Sequence, residues 1–104
     1  MESTANFQAG FEAAYKELKA EGKVNERDER AVTLLLANPV LTAPNGERVF
    51  GMARAHRRVR RYYLAKTGQP WGLTIDWEAI KQWIKDHWVD ILKIILSVLF
   101  LFII

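Results

Sequence analysis

The sequence predicts an all-α protein with a small three-helix head, a Gly/Pro hinge and a long C-terminal helix that turns from amphipathic to wholly hydrophobic. Three observations carry this. Apolar residues recur at three- and four-residue steps in successive segments. Gly22, the Asn38-Pro39 pair and Gly68 stand where those patterns stop. No stretch alternates with period two for long enough to argue a sheet.

The first helix covers residues 4 to 21, where Phe7, Phe11, Ala14, Tyr15 and Leu18 form one stripe and Gln8, Glu12, Lys16 and Lys19 fall opposite. Gly22 ends it. Asn25 is placed to N-cap a short second helix that carries Ala31, Val32, Leu35 and Leu36 and stops at Asn38 and Pro39. The following PVLTAPNG reads as a loop. A third helix, from about Glu47 to Thr67, puts Val49, Met52, His56, Val59 and Tyr63 on one stripe and Arg54, Arg57, Arg58 and Arg61 on the other, with Gly68 as its cap. These three stripes predict a helical head over residues 1 to 67. Residues 68 to 75, GQPWGLTI, are the hinge. Asp76 then caps a C-terminal helix, with Ile75 and Ile80 placed for a hydrophobic staple and Glu78 in the first turn. Without an internal Gly or Pro, this helix would run over residues 76 to 104 for roughly 43 Å.

Composition narrows the function classes. A chain of 104 residues holds one small domain and an appendage. The absence of cysteine excludes a disulfide framework, thiolate zinc sites, iron-sulfur clusters and a thiol nucleophile, and it fits a reducing compartment. The charge is uneven: residues 39 to 75 carry seven bases and one acid, most of the bases being Arg54, Arg57, Arg58, Arg60 and Arg61. The first residues lack the basic and apolar regions of a secretory signal, so any membrane contact is expected at the C-terminal end.

There, Trp77, Trp83 and Trp88 with Lys81, Lys85 and Lys93 have the composition of a membrane-interface belt. Ile91, Leu92, Ile94, Ile95, Leu96, Val98, Leu99, Phe100, Leu101, Phe102, Ile103 and Ile104 are the inserted residues of this reading. From Val89 the apolar part is about 24 Å of helix, short of a hydrocarbon core of about 30 Å. That leaves a short span with local thinning, a half-buried insertion, or a helix packed against copies of itself. The bland alternative is the central helix of a soluble fold.

The stretch WEAIKQWIKDHWVDILKIILSVLFLFII resembles the tryptophan-studded hydrophobic tails of small single-span proteins encoded by phages and mobile elements. The likeness covers the last third of the chain and is one of class. Leu96-Ser97 is also similar to the Leu-Ser pair of small RNA-phage lysis proteins, whose basic, disordered halves differ from the helices here. The resemblance implies a virion membrane component, a membrane-remodelling factor or a lysis protein.

The expected role is therefore that of a tail-anchored adaptor, tethering a protein assembly such as a phage virion shell to a membrane, its head cytoplasmic or virion-internal and its assembly oligomeric. One alternative is a lysis or holin-like protein whose stripe of Asp86, Asp90, Lys93 and Ser97 lines an opening. Another is a soluble nucleic-acid-binding oligomer. The arginines at 54, 57, 58, 60 and 61 suit phosphate oxygens of anionic lipid or nucleic acid, or form a solvated face answering the acidic NERDER segment. His56 reads as a core residue, and His87 with Asp90 falls short of a metal site. With no phosphate loop, nucleophile elbow or HExxH, neither an enzyme nor a cofactor is expected.

Overall fold

Helix α1 spans Thr4–Ala20 and buries the predicted stripe of Phe7, Phe11, Ala14, Tyr15 and Leu18. It ends in a reverse turn in which Lys23 N–H bonds to the Leu18 carbonyl (2.9 Å) and Gly22 N–H to that of Lys19 (3.1 Å). This termination needs a left-handed residue, and Gly22 supplies it at φ 72°. Helix α2, Glu26–Ala37, starts where Asn25 Oδ1 accepts the Asp28 N–H at 2.8 Å, the predicted N-cap. The computed structural model describes residues 4–38, 40–71 and 77–103, and for Trp77 and residues 100–103 the backbone alone.

The expected loop is instead a hairpin. Strand β1 (Val40–Thr42) pairs antiparallel with β2 (Arg48–Phe50), Leu41 opposite Val49. Leu41 and Val49 face the core while the residues flanking them face out. Three residues per strand are too few for alternation to register as a pattern. The hairpin also moves the start of the third helix: α3 is Gly51–Thr67, not from Glu47. Gly68 caps it as predicted, at φ 72° with its N–H on the Leu64 carbonyl.

The predicted continuous C-terminal helix is two helices. Helix α4 is Trp77–Asp86 and α5 is Trp88–Ile103, separated at His87. There the Trp83 carbonyl takes the His87 N–H at 3.1 Å and lies 2.9 Å from His87 Nδ1, which donates to it in the Nδ1-protonated tautomer. The His87 N–H is shared with the Ile84 carbonyl at 3.2 Å, a tightened turn between the two helices that needs neither Gly nor Pro. The expected N-cap Asp76 and the hinge residues 72 to 75 lie outside the described residues.

The two halves have different neighbours. Helix α4 packs on α1, whereas α5 packs on α3 and α2. Ile80, Ile84, Trp88, Ile91, Ile95 and Leu99 continue one buried stripe through the break and join Phe7, Phe11, Val32, Leu35 and Val59 in a single core. The head is thus not closed on its own. Its apolar stripes are completed by the C-terminal helices, with Trp88 packed against Phe11 and Tyr15 at centroid distances of 5.9 and 6.4 Å. The radius of gyration is 13.4 Å, close to the about 13 Å expected for a compact chain of 100 residues.

Candidate anion-binding face

Burying one side of α3 against α1 and α5 turns its arginines outward. Arg54, Arg57, Arg58 and Arg61 follow one another at steps of three, one and three, so they occupy one side of two turns, about 10 Å of helix. They line a shallow cleft of about 250 Å³. Arg57, Arg60 and Arg61 turn into a second cleft, of about 340 Å³, completed by Leu64, Pro70 and Trp71.

These guanidinium groups carry unbalanced charge. Among the described residues no carboxylate forms an ion pair with any of the five arginines. The acidic NERDER segment does not answer them: Glu29 bonds to Lys19 at 2.7 Å, and Asp28 lies beside Arg27. Arg58 has a neutral partner, donating from Nη1 to Ser97 Oγ at 2.8 Å, and the Ser97 hydroxyl in turn donates to the Ile94 carbonyl. A planar guanidinium with free N–H groups is a ready donor to phosphate or carboxylate oxygens.

The lysines of α4 behave differently. Lys81 bonds to Glu17 at 2.7 Å and to Glu78, while Lys85 bonds to Glu17 at 3.1 Å and to Glu21 at 3.2 Å. Hydrogen bonds from Lys81 and Lys85 hold the Glu17 carboxyl below its ordinary range, and Lys85 does the same for Glu21. These lysines tie α4 to α1.

The other expected belt residues are also engaged in the fold. Trp83 stacks on His87 at 4.2 Å and meets Tyr62 and Tyr63 edge-on, and Trp88 is buried. Lys93 is exposed, and the Trp77 side chain lies outside the described residues. Of the residues expected to insert in a membrane, Ile91, Leu92, Ile95, Val98 and Leu99 are buried in the core, and Ile94 and Leu96 are half-buried. The side chains of Phe100, Leu101, Phe102 and Ile103, and all of Ile104, lie outside the description. Among the described residues no helix is long and apolar enough to cross a membrane.

The polar stripe assigned to a lysis opening is mostly partnered within the chain. Asp86 accepts from Gln82, Asp90 from the Tyr62 hydroxyl at 2.5 Å, and Ser97 from Arg58. Burial and the bond to Asp90 push the Tyr62 hydroxyl up to about 12, and the same bond holds Asp90 below its ordinary range. His56 is a core residue, stacked on Phe7 at 4.9 Å with Nδ1 3.4 Å from Thr4 Oγ1. Among the described residues no three His, Cys, Asp or Glu side chains converge as a metal site.

Sequence reasoning placed the arginines on one face but missed the second cleft. Its apolar side joins Leu64, in the last turn of α3, to Pro70 and Trp71, which the sequence places in the hinge. A tryptophan between proline and glycine was the available signal. No known protein family, no curated protein and no solved structure matches this chain.

Proposed function

We propose that the chain is a nucleic-acid-binding helical domain whose α3 arginine face holds the phosphate backbone without reading sequence. The observation that carries this is the set Arg54, Arg57, Arg58, Arg60 and Arg61, which share one helix, face outward and lack any carboxylate partner among the described residues. Like charges so close together repel one another and are relieved by a multivalent anion. Four phosphate contacts on a single strand would give log K a slope of about −3 against log salt. The test is fluorescence anisotropy with labelled oligonucleotides across salt. The double variant Arg57→Gln, Arg61→Gln is expected to weaken binding and flatten the slope by about 1 to 1.5. No binding at low salt, or wild-type behaviour of the variant, would sink the reading.

A second reading keeps the membrane tether. It is favoured by the Arg58 to Ser97 bond, which puts the cationic face beside α5, the most apolar helix of the chain. In this reading the arginines meet anionic headgroups and α5 leaves the core to enter the bilayer, tethering an assembly such as a virion shell. Alkaline carbonate extraction of membranes from cells expressing the full chain tests it. Retention in the pellet supports an integral α5, and release into the supernatant rejects it.

A further inference from the structure

The geometry points to single-stranded nucleic acid as the ligand of this face, with one unstacked base seated in the cleft formed by Arg57, Arg60, Arg61, Leu64, Pro70 and Trp71. The inference rests on the nucleic-acid reading above and names its substrate class. The neighbouring cleft is all guanidinium and suits phosphate alone. This one is mixed. Arg57, Arg60 and Arg61 supply its cationic lining, and Leu64, Pro70 and the largely buried Trp71 its apolar lining.

Each lining answers a different part of a nucleotide. The guanidinium groups match a phosphate oxygen and can also lie flat on a base. The apolar lining offers surface that gains from covering a ring, since Leu64 is 49% exposed. A volume of about 340 Å³ is at the small end of ligand clefts, which run from about 300 to 1,000 Å³.

Part of the apolar lining is already packed within the fold. Trp71 is held edge-on by Tyr63 (5.0 Å), Trp83 (6.0 Å) and His56 (6.3 Å), so it does not have to be ordered on binding. Duplex bases are stacked on one another and present edges, not faces, to a protein. A cleft that takes a ring face therefore selects a strand whose bases are free. Arg57 and Arg61 line both clefts, so a strand with a base in the second keeps its flanking phosphates on the first.

The experiment compares full-length protein binding to a short oligothymidylate and to an abasic strand of the same length, so that phosphate charge is constant. The base-bearing strand is expected to bind at least about fivefold tighter, the low end of what stacking one base contributes. Leu64→Gln, an exposed substitution whose helicity is checked alongside, is expected to remove that ratio by weakening the base-bearing complex. Equal affinity for the two wild-type complexes overturns the inference while the phosphate reading stands on the abasic strand. A ratio that survives Leu64→Gln overturns the assignment to this cleft. Failure to bind either strand at low salt overturns both readings.

Discussion

The Tyr62 hydroxyl donates to Asp90 Oδ2 across the α3 to α5 contact, at 2.5 Å, and this bond joins the arginine helix to the C-terminal helix. Together with Arg58 and Ser97 it fixes how the two helices run past each other, Tyr62 meeting Asp90 where Arg58 meets Ser97. Tyr62→Phe removes the donor and leaves the carboxylate without its protein partner. The thermal unfolding midpoint is expected to fall by roughly 5 °C. Asp90→Asn in the Tyr62→Phe background should cost little more than the worse single change. Full additivity would mean that the two residues do not act as a pair.

Stability should depend on pH with a defined sign. Glu17 and Glu21 titrate below their ordinary 4.5, and Asp90 below 3.8, because lysine or tyrosine donors favour the ionised form. A carboxylate whose folded pKa is lowered stabilises the fold fully above its unfolded value and loses that contribution as pH falls through the folded value. Urea midpoints are therefore expected to hold from neutral down to about pH 5 and then to fall through the acid range. Glu17→Gln should shallow that fall. The Glu17 side chain is 43% exposed, so high salt should shrink the effect.

The alkaline side has the opposite sign. Lys81 and Lys85 titrate above 10.5, chiefly through their hydrogen bonds to Glu17. A raised pKa contributes fully below the unfolded value and is lost as pH rises through the folded one. Stability should hold to about pH 10 and decline beyond it.

Ile95 has no exposed surface, and its place in the core tests where α5 resides. Ile95→Ala should destabilise the whole domain by about 2–5 kcal/mol, measured by urea unfolding of the full chain. An α5 withdrawn from the core would give a change near zero.

Gly68 has a left-handed backbone with open space around the missing side chain. Gly68→Ala therefore costs backbone strain alone, about 1 kcal/mol. A cost several times larger would point to a packing role.

Several features were legible because they are local. Gly22 and Gly68 are small residues at points where the apolar period stops, and Asn25 stands three residues before a main-chain N–H it can accept from. The stripe of α3 was readable for the same reason: one side had to be hidden, which left the arginines outside. The hairpin escaped because two three-residue strands carry no period, and the break at His87 escaped because no Gly or Pro marks it, only a backbone N–H shared between the Trp83 and Ile84 carbonyls. The second cleft depends on a loop returning Pro70 and Trp71 beside Leu64.

By itself, then, the sequence determined an all-α chain, most of its helix ends, and which side of each helix must avoid water. What covers Trp88, Ile91, Leu92, Ile95, Val98 and Leu99 was settled by the packing of the helices. Hydrophobicity penalises exposure to water and is indifferent to whether lipid, another copy or the chain's own α1, α2 and α3 provides the cover. The fold resolves this by setting Ile91, Ile95 and Leu99 against Phe11, Leu35 and Val59 in one core, with Lys93 and Ser97 turned outward.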